Sequence, residues 1–351
     1  MKSWPRRKLV GWGKRDISRF ILRGRLLQLS KIYKPIQQDL ARVESQLRSV
    51  SKVDFPELAE LLSYILTGGK GIRPALTLLT GKFYHYNPDL LLPMATAVEL
   101  MHTATLVHDD AIDNSSVRRG RPTINRLWGE DRAVLLGDYL FAKAGEFAAI
   151  TGNLRVIRLF ALTLQIISSG EISQTFDAFN LAQTRDHYLH RISSKTASLF
   201  SLATESGAIL SQAPEELIQV LKEYGSNLGI AFQIVDDILD FIGTEEEMGK
   251  PVGSDLAQGT LTLPAMLLLE HYPEDNPVKE LFSDHDMSEG DKQKRIKQAI
   301  DLVRHSSIVQ ECYEVASDYC AKACRRLGLL PDNPSRQALK DLADLVINRR
   351  R

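Results

Sequence analysis

Two aspartate clusters lie 127 positions apart, Asp109-Asp110-Ala111-Ile112-Asp113 and Asp236-Asp237-Ile238-Leu239-Asp240, each set in an apolar, helix-like run. In a helix the first and last aspartate of such a cluster share one face, a turn apart. A helix apolar nearly all round that ends in three carboxylates sets burial against charge, and such conflicts belong to functional sites. Two acidic faces opposed across a cavity repel strongly unless cations lie between them. Oxygen ligands of this kind suit Mg²⁺, which keeps some waters and completes its shell from substrate phosphates. The pattern points to a diphosphate handled through bridging magnesium ions.

Helical periodicity dominates the rest of the chain. Residues 33–50 place Ile36, Leu40, Val43 and Leu47 on one stripe, and 55–66 read as a second helix. The stretches 74–82, 91–110, 132–151, 154–171, 186–209, 214–241, 261–271, 292–303 and 308–327 follow as helices joined by short loops. The expectation is an all-α fold, one large helical bundle around a deep central cavity. With 44% hydrophobic residues and no linker-like stretch, residues 31–351 read as one domain. No run of about 18 uncharged apolar residues occurs, which argues against a spanning helix.

The formal charge of zero is unevenly spread. Residues 1–30 hold nine Lys and Arg and one acid, leaving 35 bases and 43 acids elsewhere. The body is mildly acidic, so nucleic acid is not the expected partner. The basic start lacks the features of a secretory signal. It reads as a mobile extension, and Trp4, Trp12, Phe20, Ile21 and Leu22 among its bases keep peripheral membrane contact open. Cys312, Cys320 and Cys324 complete no zinc site and read as free thiols in a reducing, cytoplasmic setting.

Cations surround the acidic clusters. Arg118-Arg119 follow the first one directly, and a guanidinium fork matches phosphoryl oxygens bidentately. Asp113 and Arg118 are at most about 18 Å apart along the chain. Lys70 and Arg73 lie on the glycine-rich segment 67–72, where bare backbone can approach an anion. It is no Walker loop, since Gly71 and Ile72 follow Lys70. Lys250, after the second cluster, and Lys195, before Thr196, add two further cations. His102 lies two turns before the first cluster, and no nucleophile triad is visible.

Together these residues resemble the trans-type isoprenyl diphosphate synthases, and the long-chain polyprenyl members in particular. The resemblance rests on residues 68–74, His102 to Thr123, Gly137-Asp138-Tyr139-Leu140, Gly170-Glu171-Ile172-Ser173-Gln174, Lys195-Thr196, Phe232 to Asp237 and Gly249 to Pro264, and covers roughly residues 35–350. It implies a prenyltransferase that condenses isopentenyl diphosphate onto an allylic diphosphate, repeatedly, with three Mg²⁺ ions per site. Asp109, Asp113 and Asp236 are then the principal metal ligands, with Asp110, Asp237 and Asp240 completing the acidic shell. Arg118, Lys195 and Lys250 are implied to hold the allylic diphosphate, and Lys70, Arg73, His102 and Arg119 isopentenyl diphosphate. Thr196 and Gln233 are implied to flank the developing carbocation. Two cations common in the family are replaced, by Gly71 and Thr260.

The resemblance also implies a homodimer. Chain length is expected to be set on the helix above the first cluster, by Ala104, Thr105 and Met101, which offer no aromatic floor. Each helical turn adds about 5.4 Å of depth. The expected product is a long all-trans chain (about C30 to C50), with Phe160, Leu164 and Ile167 as candidate floor residues and a quinone side chain as its use. Alternatives are a geranylgeranyl diphosphate synthase, a terpene cyclase and a subunit of a heteromeric synthase.

Overall fold

The computed structural model describes residues 28–67, 69–118, 120–244, 251–284 and 286–348. The basic extension therefore lies almost wholly outside the described residues, as do Arg119 and Lys250. The main helices are α1 (Gln37–Ser49), α2 (Pro56–Ile65), α3 (Ile72–Gly81), α4 (Pro88–Ile112), α5 (Glu130–Ile150), α6 (Leu154–Phe176), α7 (Arg185–Ile192) and α8 (Ser198–Leu210). They continue as α9 (Glu215–Ile242), α10 (Leu263–His271), α11 (Pro277–Ser283), α12 (Glu289–Arg304), α13 (Ile308–Cys324) and α14 (Pro334–Ile347). The all-α expectation holds. Among the described residues the one sheet is a two-stranded hairpin, β1 (Val117–Arg118) paired antiparallel with β2 (Arg121–Pro122).

The hairpin, α11 and α14 are missing from the sequence reading. The first is too short to alternate visibly, and the two helices open on Asn-Pro, which reads as a turn; in each, the asparagine oxygen caps the first turn.

Helices α4, α8 and α9 form the centre, with α3, α5 and α13 packed around them. The conflict seen in the sequence is real: α4 and α9 bury most of their length, including Leu100, Met101, Ala104, Leu228, Ile234 and Ile238. Each fully buried Leu or Ile contributes about 1.5–3 kcal/mol. The C-terminus of α9 is closed by Arg304, whose guanidinium donates to the carbonyls of Phe241 and Gly243.

The sequence reads 186–209 as one helix, but it is interrupted. Over Ser193–Ala197 the backbone makes a π turn, with the Ser198 amide bonded to the Ser193 carbonyl five residues back. Two glycines make room for it. A Cβ at Gly170 on α6 would stand 2.8 Å from the Ser194 Cβ, and one at Gly229 on α9 would stand 2.5 Å from the Ala197 Cα. The extra residue shifts the helical phase where Lys195 and Thr196 leave the chain.

By length and hydropathy α4 and α6 could each span a membrane, although neither holds an uncharged run of about 18 residues. The apolar window of α4 is 67% buried, as befits a core helix, whereas that of α6 is only 28% buried. Leu154, Leu162, Ile166, Ile172 and Phe176 on α6, with Leu135 on α5, stand exposed. Cys312 and Cys320 are buried and Cys324 is half-buried, all as free thiols.

Candidate active site

A cavity of about 950 Å³ opens between α3, α4, α6, the π turn, α9 and the segment 251–262. Both aspartate clusters reach it. Asp109, Asp110 and Asp113 enter from the end of α4, and Asp236 and Asp237 from α9. The cavity also receives Lys70, Arg73, His102, Arg118, Lys195, Thr196 and Gln233. Residues more than 160 positions apart thus converge on one chamber.

Within the first cluster the carboxylates divide. Asp110 is 4% exposed and accepts the Arg118 Nε–H at 2.7 Å. The hairpin β1–β2 aims that guanidinium, and it is itself pinned to α2 by the Tyr64 hydroxyl on the Pro122 carbonyl and by Arg121 stacked over the Tyr64 ring. One of the five Arg118 donors is spent on Asp110. Burial raises the pKa of both Asp110 and Asp113, and nearby cations offset part of that rise.

Lys195 is the cation nearest these acids. Its Nζ lies 2.8 Å from Glu171 Oε1, 3.0 Å from Oε2 and 3.7 Å from Asp109 Oδ2. Burial on its own would lower the Lys195 pKa, but Asp109 and Glu171 outweigh it and the net shift is upward. Glu171, raised by burial, is a site residue to which the sequence reading gave no role. The signal was present, since Gly170-Glu171 stands in one of the matching stretches.

The second cluster is held more tightly. Asp237 is 3% exposed, and burial pushes its pKa up to about 7. Its Oδ1 accepts from the Gln233 carboxamide and its Oδ2 from the Tyr188 hydroxyl, both at 2.8 Å. Gln233 Oε1 accepts from the Thr196 hydroxyl at 2.6 Å. Asp240 departs from the expectation: it is absent from the cavity wall. It is 1% exposed, and its two oxygens accept from the Ser254 hydroxyl and the Asp255 amide. Ser254 and Asp255 lie against this side of the helix and are anchored on Asp240.

The three chain-length positions also separate. Thr105 lines the cavity, while Met101 and Ala104 are fully buried and do not. Thr105 lies about 40° around the helix from Asp109, Met101 about 80° and Ala104 about 140°. Of the candidate floor residues Ile167 reaches the cavity, and Phe160 and Leu164 do not. Near the glycine-rich segment the Tyr33 hydroxyl donates to the Lys70 carbonyl, and the Arg73 guanidinium stacks over Phe200.

The donor set fits a hard divalent cation that shares its shell with substrate. The chamber gathers carboxylates from two helices and already holds a lysine ammonium among them. Among the described residues no three acidic, imidazole or thiol side chains converge tightly enough to chelate an ion alone. An ion completed by phosphate oxygens and water meets that geometry.

The chain is similar to known proteins along most of its length. Residues 55–303 match the family model described as "Polyprenyl synthetase". The chain is 38% identical to heptaprenyl diphosphate synthase component 2 of Geobacillus stearothermophilus, over 92% of this chain and 99% of that protein. A decaprenyl diphosphate synthase of Rhodobacter capsulatus, solved by crystallography, is 39% identical with a TM-score of 0.84, over 92% of this chain and 99% of that one. A polyprenyl synthase of Caulobacter crescentus, crystallised with calcium and isoprenyl diphosphate, is 32% identical with a TM-score of 0.86, over 92% and 98%. From its paired acidic clusters to its helical architecture, this chain belongs to the polyprenyl synthetase family.

Proposed function

We propose that the protein is a chain-elongating trans-prenyltransferase that condenses isopentenyl diphosphate onto an allylic diphosphate and repeats the step to a long product of about six to ten isoprene units. The observation that carries this reading is the meeting of Asp109, Asp113 and Asp236 in one cavity with Lys195 among them. The ions are Mg²⁺, three per site, held by Asp109, Asp113 and Asp236. Bound magnesium neutralises the diphosphate and so eases cleavage of the allylic C–O bond.

The chain's own residues do the rest. Lys195 and Arg118, with Lys250, take the charge of the departing pyrophosphate. Lys70, Arg73 and His102, with Arg119, hold isopentenyl diphosphate so that its double bond faces the allylic carbon. The oxygens of Thr196 and Gln233 flank the electron-poor carbons as the new bond forms. The proton released from the condensed chain goes to the pyrophosphate. Thr105 stands at the chamber wall and small Ala104 behind it, leaving the tail room to grow.

Residues 31–351 form the catalytic unit, preceded by a basic extension. The enzyme is cytoplasmic, and its product becomes a quinone side chain. A homodimer is the proposed assembly, with the apolar face of α6 as its seam. The likeness to a "component 2" makes a heteromer the second reading.

Purified protein incubated with farnesyl diphosphate, labelled isopentenyl diphosphate and Mg²⁺ is expected to yield labelled prenyl diphosphates of about 30–50 carbons, and none with EDTA. Products stopping at 20 carbons would assign the shorter-chain reaction. No consumption of isopentenyl diphosphate would overturn the proposal. Sedimentation of the same sample, alone, separates the homodimer from a subunit awaiting another chain.

A further inference from the structure

A hydrogen-bonded line runs from the core to the chamber wall. Tyr188, on α7 and 1% exposed, donates its O–H to Asp237 Oδ2 at 2.8 Å. Asp237 Oδ1 takes the Gln233 carboxamide N–H at 2.8 Å, and Gln233 Oε1 takes the Thr196 O–H at 2.6 Å. The line has a polarity. Both oxygens of Asp237 act as acceptors here, so Gln233 turns its NH₂ to Asp237 and its carbonyl oxygen to Thr196. A flipped carboxamide would set NH₂ against the Thr196 hydroxyl and a carbonyl against a carboxylate. Tyr188 occupies the other carboxylate oxygen and so fixes the plane of Asp237. Behind it, Arg191 stands 5.6 Å over the phenol ring, its guanidinium held by Gln183 Oε1 and the Leu261 carbonyl.

We propose that Tyr188 is a positioning residue for the condensation: through Asp237 it fixes the orientation of the Gln233 carboxamide, so that the Gln233 carbonyl and the Thr196 hydroxyl present oxygen, not N–H, towards the reacting carbons. This rests on the reading of Gln233 and Thr196 as residues facing those carbons. It also gives Asp237 a different duty from Asp236, that of a fixed acceptor inside the protein.

Tyr188→Phe keeps the ring and removes one donor. The expected result is a kcat about 10-fold lower, with KM for both diphosphates and the melting temperature near those of the native enzyme. Gln233→Leu should lower kcat more, and Tyr188→Phe added to it should cost nothing further, because both act on one line. Native kcat in Tyr188→Phe, or losses that multiply in the double variant, would overturn the proposal. So would a general fall in kcat, affinity and melting temperature together. Native kcat in Gln233→Leu would remove the underlying reading and the proposal with it. An impaired Gln233→Leu beside an unimpaired Tyr188→Phe removes the proposal alone.

If Tyr188→Phe does not fold, a charge swap decides. Asp237→Asn offers one acceptor oxygen where Asp237 offers two, so either the Gln233 carboxamide or the Tyr188 hydroxyl loses its acceptor. Asp237→Asn with Gln233→Glu restores an acceptor facing Thr196 and keeps the net charge. Recovery of about 10-fold in kcat over Asp237→Asn supports the line, and no recovery overturns it.

Discussion

The two aspartate clusters share a spacing and differ in what they offer. The first ends its helix, with Asp113 at the C-cap, and brings all three carboxylates to the chamber, where Arg118 claims Asp110. The second lies inside its helix, with Ser254 and Asp255 bonded to its last aspartate. Asp236 reaches the chamber; Asp237 is held by Tyr188 and Gln233, and Asp240 by Ser254 and Asp255. An identical pattern fixes which carboxylates share a helix face. Whether that face meets a cavity or a loop depends on how the chain continues.

The contrast can be broken at its strongest point. Asp109→Asn and Asp236→Asn are each expected to lower kcat about 1000-fold, several kcal/mol of lost charge stabilisation. Steady-state rates at saturating Mg²⁺ check this, and a near-native rate in either would remove that residue from the metal set.

Asp237 gives the next effect, read in stability. Its carboxyl titrates at about 7 when folded and near the ordinary 3.8 when unfolded. A raised folded pKa means stability present at low pH and lost as pH rises towards 7. In metal-free protein the melting advantage of Asp237→Asn over the native chain should therefore grow between pH 4 and 7 and level off above, by a few kcal/mol, roughly 1.4 per pH unit at most. A pH-independent difference would mean that its partners fully compensate the buried charge.

Asp240→Asn should cost less, about 10-fold in apparent Mg²⁺ affinity, with faster proteolysis near 251–262. A loss matching that of Asp236→Asn would make the two clusters equivalent after all. Least costly to rate is Ala104→Phe, on the helix of the first cluster. Product chains should shorten by one or more units while kcat for the first addition stays near native. Unchanged length with a lowered melting temperature would reduce Ala104 to a packing position, overfilled at a cost of about 1–3 kcal/mol.

Much of this was legible in the chain. Helical period and apolar content gave the all-α bundle, and the clusters with their neighbouring cations marked the chamber. The surroundings of Asp240 were not legible, because the spacing of the cluster is silent about the Ser254 hydroxyl and the Asp255 amide that take its oxygens. Glu171 and Tyr188 went unassigned because a single Glu or Tyr in an amphipathic run looks like any other until its partner across the fold is known. The π turn was invisible for a similar reason. One extra residue in a helix leaves no compositional trace, and only the bare faces of Gly170 and Gly229 record the close approach.

Helix α6 carries Ile167, Glu171 and Gln174 on its chamber side and Leu162, Ile166, Ile172 and Phe176 on its outer side. A partition one side chain deep on either flank, built at the density and low compressibility of protein interiors, transmits displacement instead of absorbing it. Whatever presses on the outside of this helix also trims or widens the space in which the hydrocarbon tail must coil.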